Sequence, residues 1–214
     1  MTTPLTSTPK FFIGVAGRAR HGKTGFAKIL ERMFSAAGYI VHAAGFSDPI
    51  LKEAHEMGLI DSLDREKLSP REIKALVFTG TERRRIDSLH WIKIHQDEID
   101  KAHADVVIVH GVRFPMEVSW VRQNGGVVIR LVRRNADGTV FISEDRDCEH
   151  PTESVVFGLL PDYEIVHFAG QELWLEEQAK ALARFLMRPH PRFSEEPVFS
   201  NVPKPFRSSG GCAQ

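Results

Sequence analysis

The sequence predicts an α/β protein with a three-layer α/β/α fold, a five-stranded, mostly parallel sheet and a small lid. Short apolar runs alternate with longer segments that carry a helical apolar stripe, the pattern of strands joined by crossover helices. Glycines or Asp-Pro and Ser-Pro pairs separate many of these segments. One long polar loop, at about 135–150, has the hydrophilic composition of a lid.

Five apolar runs of strand length provide the predicted sheet. They cover 11–17, 39–46, 104–111, 127–134 and 163–168. Their length and apolar content favour buried strands, covered by helices on both faces. Ligands of such sheets bind beyond the carboxyl ends of the strands, so the loops after the first three strands are expected to open on one crevice.

Helical segments fill the gaps between these strands. An apolar stripe predicts the first helix, over 23–38 (Phe26, Ile29, Leu30 and Phe34). Asp48-Pro49 and Ser69-Pro70 each place a capping side chain before a proline, which predicts two helix starts with Asp48 as one N-cap. Further helices are predicted over about 86–103, 115–126 and 171–187.

The chain is expected to form one domain with two unstructured ends. We predict a disordered N-terminus over 1–9, the folded domain over 10–187 and a Pro/Ser/Gly-rich tail over 188–214. Hydrophobic residues make up 42% of the chain and charged residues 26%, which suits a globular protein with a packed core.

Charge and hydropathy exclude several classes of partner. Lys+Arg and Asp+Glu are both 28, a balance that predicts no stable nucleic-acid binding. The first ten residues lack the apolar segment of a secretory signal, and no apolar run is long enough to span a bilayer. We therefore expect a cytoplasmic protein without membrane contact, in the host cytoplasm if a phage encodes it.

Residues 17–24, GRARHGKT, match the pattern G-x-x-x-x-G-K-[ST] at every fixed position, between an apolar strand and a helix. Gly17 and Gly22 permit a backbone whose N–H groups surround an anion, Lys23 can reach the β- and γ-phosphates, and Thr24 offers a hydroxyl to Mg²⁺. The sequence therefore predicts a P-loop NTPase fold that binds ATP and Mg²⁺. The predicted nucleotide-binding residues are Gly17, Arg18, Ala19, Arg20, His21, Gly22, Lys23, Thr24 and Gly25, with Thr24 as the metal ligand.

The P-loop alone does not say where the phosphate goes. A GTPase switch would carry the tetrapeptide N-K-x-D, which is absent, and a motor would carry an acidic strand end, which VVIVHG lacks. A small-molecule kinase needs cations around its acceptor. Arginines in and beside the polar segments can supply them: Arg83, Arg84, Arg85, Arg113, Arg130, Arg133, Arg134 and Arg146. We expect most of Arg83–Arg85 to be solvated, whereas Arg113 follows a central strand at the ligand edge.

Five segments resemble a known family. GVAGRARHGKT, FSDPILKE, GTERRRIDSLHW, VRFPMEVSWVRQNGGVVIRLVR and HPTE occur in the order found in bacteriophage deoxynucleoside monophosphate kinases, over about 12–187. The resemblance implies transfer of the ATP γ-phosphate to a deoxynucleoside monophosphate, and pairing as a homodimer. Animal phosphomevalonate kinases share the P-loop and the strand–Arg–helix arrangement. A phosphorylated metabolite, or a hydroxymethylated base in DNA, therefore stays open as the acceptor.

The same resemblance implies roles for residues outside the P-loop. Asp48 would lie near the acceptor or the metal, Arg113 would grip the acceptor phosphate, and Arg130 would neutralise charge on the transferring group. With Lys23 they form the predicted catalytic set. The predicted substrate-binding residues are Phe46, Asp48, Arg85, Arg113 and Glu117. The predicted lid residues are Arg133, Arg134, Arg146, His150 and Glu153. The kinase interpretation requires the Arg113 guanidinium to lie on the P-loop's side of the sheet.

Two departures from the family concern the metal. The family usually reads D-V-R-F where this chain has Gly111-Val112-Arg113-Phe114, and it often has aspartate where this chain has Thr24. We expect Thr24 and the nucleotide phosphates to hold most of the magnesium shell, with water and Asp48 completing it. The missing acid leaves open a nucleotide-binding protein with weakened catalysis.

Histidines and aromatic residues near these motifs receive structural interpretations. His110 is expected to finish its strand rather than act as a ligand or base. Trp91 and Trp120 lie on helical stripes and are expected in the core. For Phe46, stacking on an acceptor base and burial in the core both stay open.

Overall fold

The computed structural model describes residues 11–143 and 151–188. The predicted disordered N-terminus, the second half of the predicted lid and the predicted tail beyond residue 188 lie outside these ranges. The proposed domain limits accordingly stay a prediction.

Five parallel strands form one sheet in the order β2-β3-β1-β4-β5. The strands are β1 (Phe11–Ala16), β2 (Val41–Gly45), β3 (Val106–Val112), β4 (Val127–Arg134) and β5 (Tyr163–Phe168). All five predicted strands are confirmed. Because the strands are parallel, their carboxyl ends meet at one edge, where the loops after β1, β2 and β3 lie side by side.

Seven helices connect or flank the strands within the described residues. They are α1 (Lys23–Ala36), α2 (Asp48–Glu56), α3 (Pro70–Ile86), α4 (His90–Ala102), α5 (Pro115–Gln123), the short α6 (Pro151–Ser154) and α7 (Glu172–Leu186). Two 3-10 turns, Arg65–Lys67 and Val155–Phe157, complete the set.

Helices cover both faces of the sheet. Buried residues of α1 and α7 pack on one face, among them Phe26, Leu30 and Leu182. Residues of α4 and α5 pack on the other, including Ile99 and Val121. The three layers, the sheet order and the loop between β1 and α1 confirm the predicted P-loop NTPase fold. No helix in the described ranges is both long and apolar enough to cross a bilayer.

The helix starts agree with the sequence at one proline and differ at the other. Ser69 caps α3 and forms a capping box with Glu72, as the Ser69-Pro70 pair predicts. At α2 the N-cap is Ser47, so the prediction of Asp48 as N-cap is wrong by one position. Asp48 is already helical, and its carboxylate accepts a hydrogen bond of 2.6 Å from the N–H of Gly45.

The helix predicted over about 86–103 begins later than expected. The preceding helix α3 continues to Ile86, and Asp87 has an extended backbone that breaks the run. The Asp87 carboxylate accepts from the N–H of Leu89 at 3.0 Å, and α4 starts at His90. A side chain that competes for backbone donors therefore divides one apparent periodic segment into two helices.

The described half of the predicted lid folds back on β4. Val140 makes an antiparallel bridge with Arg134, and the N–H of Asn135 donates to the carbonyl of Thr139 at 2.9 Å. Gly138, with φ +85°, supplies the left-handed turn. The described part of the predicted lid is thus a tight hairpin, and a lid role for it stays a prediction.

Candidate active site

The P-loop, Gly17–Thr24, connects β1 to α1 with an unusual backbone. Gly17, Arg20 and Gly22 have φ of 147°, 59° and 83°. At Gly17 a Cβ atom would lie 2.8 Å from the carbonyl oxygen of Leu131, so only glycine fits. Left-handed residues in such a turn form the concave amide nests that bind anions, and the helix N-terminus adds positive charge.

Lys23, the first residue of α1, is buried and reaches back across the loop. Its Nζ donates to the carbonyl of Arg18 at 2.5 Å. Thr24 and Gly25 follow on the exposed side of the helix start, where the Thr24 hydroxyl meets solvent. Lys23 and Thr24 therefore stand where the loop enters the helix, the positions at which the P-loop motif carries its phosphate and metal ligands.

Two buried histidines hold the P-loop in place. The Nε2 of His21 lies 3.0 Å from the carbonyl of Phe141, and its Nδ1 lies 3.2 Å from the N–H of Arg133. Nδ1 also lies 3.1 Å from the carbonyl of Leu131, and burial lowers the pKa of His21, which favours the neutral ring. From β5, Nε2 of His167 contacts the carbonyl of His21 at 3.3 Å. His21 is thus a support of the loop as well as a member of it.

Arg113 lies on the P-loop's side of the sheet, as the kinase interpretation requires. Its Nη1 makes an ion pair with Oε1 of Glu153, and Oε2 of the same carboxylate accepts from the N–H of Ala19 at 3.0 Å. Burial would raise the pKa of Glu153, but Arg113 and the Ala19 amide together hold it below its ordinary value. One ionised carboxylate therefore joins the P-loop to the predicted acceptor arginine.

Glu117 is buried behind Arg113. Its Oε2 accepts from the N–H groups of Arg113 and Phe114, at 2.7 and 3.2 Å, and its Oε1 lies 3.3 Å from Nη2 of Arg84. Burial raises the pKa of Glu117, while Arg84 and the two amides act against the rise. Glu117 was predicted to bind substrate; its contacts fix the backbone from which Arg113 projects.

Arg84, rather than the predicted Arg85, approaches this cluster. The Arg84 guanidinium stacks 4.6 Å above the Phe114 ring, and burial lowers its pKa, with Arg113 close enough to contribute. Arg85 is exposed and pairs with Glu82 at 3.0 Å on its own helix. The prediction of Arg85 as a substrate ligand therefore finds no support in its position. The four-residue spacing from Gly80, which is buried in α3, could have identified Arg84 from the sequence.

Asp48 and His110 meet at the ends of β2 and β3. Gly45 lies between them with no room for a side chain, since a Cβ atom there would lie 2.7 Å from both Oδ1 of Asp48 and Cε1 of His110. Burial lowers the pKa of His110. The Asp48 carboxylate acts to raise this pKa, whereas the charge of Lys23 lowers it further. Asp48 thus lies at the same sheet edge as the P-loop lysine, consistent with its predicted place near the metal or acceptor.

Arg130 makes contacts that stabilise the fold. Its guanidinium makes an ion pair with Glu164 on the neighbouring strand β5 and donates from Nη1 to the carbonyls of Phe157 and Leu159, both at 2.9 Å. These contacts join β4 to β5 and to the segment after α6. The predicted catalytic role of Arg130 is therefore not supported, because a strand side chain with several donors engaged is a structural brace.

Phe46 and the lid residues complete the comparison with the predictions. Phe46 is buried, edge-on to His95 and Trp120, so it belongs to the core and is not presented for base stacking. Trp91 and Trp120 are buried as predicted. Arg133 stacks on Phe141, and Arg134 donates to the carbonyl of Gly138, so both brace the hairpin. The predicted lid residues Arg146 and His150 lie outside the described residues.

The residues fit a bound nucleotide with magnesium. The nest, Lys23 and the exposed Thr24 hydroxyl supply the groups that a polyphosphate and a metal need. Among the described residues, no group of three or more His, Cys, Asp or Glu side chains could hold a metal alone. A single protein hydroxyl, that of Thr24, together with phosphate oxygens suits Mg²⁺, which keeps several waters and takes ligands from substrate phosphates.

Comparisons with known proteins give limited information. No family model matches the chain, and no curated protein matches it. Among solved structures, a mutant of the APS kinase CysC from Mycobacterium tuberculosis is 12% identical, with 84% of this chain and 99% of that chain covered and a TM-score of 0.38. The protein APE1195 is 14% identical, with 84% and 96% covered and a TM-score of 0.40. At these TM-scores neither likeness bears on what this chain does.

Proposed function

We propose that this protein is a P-loop kinase that transfers the γ-phosphate of ATP to a deoxynucleoside monophosphate, giving the diphosphate. The observation that carries the proposal is the Glu153 carboxylate, which joins the Ala19 amide of the P-loop to the guanidinium of Arg113. A second anion-binding group, the Arg113 guanidinium, thereby lies beside the P-loop. Two adjacent anion sites are what a kinase needs to bring a donor and a charged acceptor together.

The chemistry follows from the charges of these groups. The P-loop amides and Lys23 would bind the donor phosphates, while Arg113 would bind the acceptor phosphate in line with them. Thr24 would hold Mg²⁺ together with the phosphates, and the ion would neutralise charge on the transferring group. The acceptor oxygen is already a nucleophile, so none of the described side chains needs to act as a strong base.

The choice of acceptor depends on the resemblance rather than on local charge. The VRFP-x-E block, which includes Arg113 and Glu117, supports a deoxynucleoside monophosphate. On the acceptor side Arg84 and Glu117 form an ion pair that offsets their charges, so local charge does not by itself favour a phosphate monoester over the diester of DNA. A phosphorylated small metabolite is also a phosphate monoester and is the first competing acceptor.

A nucleotide-binding protein with weakened catalysis is the second candidate. Gly111 supports it, because a glycine with φ +84° stands where the related kinases carry an acidic residue. Asp48 is the nearest substitute for that residue at the strand ends.

A single panel of acceptors distinguishes the proposed function from the competing acceptors and from a protein with weakened catalysis. The purified protein, with Mg²⁺ and γ-labelled ATP, is incubated separately with each of the four deoxynucleoside monophosphates, with phosphomevalonate and with hydroxymethylated DNA. We expect label in at least one deoxynucleoside diphosphate, and none with Lys23→Ala prepared in parallel. Label only in phosphomevalonate or DNA would replace the acceptor, and ATP binding without transfer to any acceptor would support the weakened protein.

A further inference from the structure

The carboxylate between the two phosphate sites has more than one anchor. Glu153 is about 4% exposed, and its main-chain carbonyl accepts from Nε of Arg18 at 2.8 Å in addition to the side-chain contacts already described. The Arg18 guanidinium in turn stacks 4.5 Å above the Phe157 ring. Glu153 is therefore held by the P-loop through both its backbone and its carboxylate, so its position follows that of the loop.

Arg113 needs such an anchor because of its neighbours. Its backbone is fixed by Glu117, but its side chain lies near the positive charge of Arg84. Lys23 is a second cation within the field of Glu153. Like charges repel in a partly buried site where solvent screening is weak. The Glu153 carboxylate offsets this repulsion, because it pairs with the guanidinium while it accepts from the Ala19 amide of the P-loop.

We propose that Glu153 is a positioning residue for phosphoryl transfer: it sets the place of Arg113, and hence of the acceptor phosphate, relative to the P-loop. This inference rests on the proposed kinase function and adds a residue to it. A shift of about 1 Å in a substrate-holding group can lower a rate about 100-fold, so the carboxylate matters for catalysis without touching substrate.

A structural ion pair is the alternative, and the chain offers a matched control. The Arg130–Glu164 pair also joins a partly buried arginine to a carboxylate, but it lies between β4 and β5 and is bonded to the carbonyls of Phe157 and Leu159. Loss of either carboxylate should affect stability. Loss of Glu153 should in addition affect the acceptor selectively.

The experiment compares Glu153→Gln, Glu153→Asp, Arg113→Ala, the double variant Glu153→Gln/Arg113→Ala and the control Glu164→Gln. Steady-state kinetics with the best acceptor of the panel gives kcat and KM, and calorimetry gives the Kd for ATP. Calorimetry with inorganic phosphate, in protein saturated with a non-hydrolysable ATP analogue, probes the Arg113 site without turnover.

For Glu153→Gln we expect kcat/KM for the acceptor to fall about 100-fold and phosphate binding to weaken about tenfold, while ATP binds no more weakly. Glu153→Asp keeps the charge but loses reach, so it should recover part of the loss. The double variant should be no worse than Arg113→Ala alone, because Glu153 acts through Arg113. Glu164→Gln should keep the wild-type KM for the acceptor.

Three results would overturn the proposal: additive losses in the double variant, equal weakening of ATP and acceptor in Glu153→Gln, or wild-type protein that binds no phosphate beside the analogue. Failure of the kinase function is a separate outcome. If wild-type protein phosphorylates no acceptor but phosphate binding still depends on both Glu153 and Arg113, the proposed function fails while the positioning role stands.

Discussion

At the residue scale, Lys23 and Arg113 have the positions that their places in the sequence indicate. Arg113 directly follows β3, and Lys23 ends the loop after β1; the carboxyl ends of these two strands meet at one sheet edge, so topology brings the two residues near each other. Arg84 and the link through Glu153 were not predicted. They join residues far apart in the chain, and no local pattern encodes which arginine of a triplet faces inward.

Lys23→Ala should abolish turnover and leave the fold intact. The ammonium group is a preorganised charge at the site of phosphate transfer, so its loss should lower kcat at least about 100-fold. The free energy of unfolding should change by about 1 kcal/mol, the scale of one hydrogen bond such as that from Nζ to the carbonyl of Arg18. Lys28→Ala, an exposed lysine on the same helix, is the control in labelled-ATP assays and urea unfolding. Near-normal turnover in Lys23→Ala would contradict the assignment.

Arg84→Ala and Arg85→Ala should differ sharply in stability although the residues are adjacent. Loss of Arg84 leaves the buried Glu117 carboxylate without its side-chain partner, which should cost about 3 kcal/mol. Arg85 pairs with Glu82 at the surface, so its loss should cost less than about 0.5 kcal/mol. Chemical denaturation of the two variants measures both values. Equal costs would show that Arg84 is not the inward-facing arginine.

At the scale of elements, strands were predicted more reliably than helix ends. Each strand contains a short apolar run, and the three central strands β1, β3 and β4 are largely buried, as the strands of a parallel sheet with both faces covered should be. Helix ends depend on which side chain competes for backbone donors, as Asp48 and Asp87 show. The same competition places Asp48 against Gly45 at the strand ends, a contact that a cap prediction alone does not imply.

The end of β3 tests whether the missing acid limits catalysis. Gly111 has φ +84°, next to an irregularity in the β1–β3 register, so any side chain there is strained by about 1 kcal/mol. Gly111→Asn carries that strain without a charge and serves as the control for Gly111→Asp. We expect both variants to lose similar stability and neither to gain turnover, since Mg²⁺ needs few protein ligands. A tenfold gain confined to Gly111→Asp, measured with labelled ATP, would show that the metal site lacks a ligand.

At the scale of the whole molecule, alternation of apolar runs with helical stripes was sufficient to predict the layers and the sheet. The order of the strands and the pairing of buried charges were not available in this way, because they depend on contacts between distant segments. His95 of α4 belongs to the same category: it is fully buried, and its approach to His42 of β2 and His110 of β3 results from the fold.

Stability should fall as the pH drops from about 6.5 to about 4. Burial, together with the neighbouring His42, lowers the pKa of His95 from 6.5 to about 4. Its ring nitrogens find no hydrogen bond among the described residues, and Glu98 is 3.9 Å away. In this range the unfolded chain binds a proton that the folded chain excludes, so the unfolded state gains up to about 3 kcal/mol. At pH above 6.5 this loss is absent.

The measurement is urea unfolding of wild type and His95→Phe between pH 4 and pH 8. The variant should show a flatter dependence in the lower half of that range, because it has no buried imidazole to exclude a proton. His55→Phe replaces an exposed histidine and should keep the wild-type slope. Identical slopes in wild type and His95→Phe would contradict the assignment.

The supports of the P-loop come late in the chain. Residues 17–24 are synthesised early, whereas Phe141 and His167, which contact His21 in the loop, are synthesised more than a hundred residues later. A nascent chain therefore carries the nucleotide-binding motif long before it carries the scaffold for it. Firm nucleotide binding should therefore arise only after residue 167 has been synthesised and has joined the sheet.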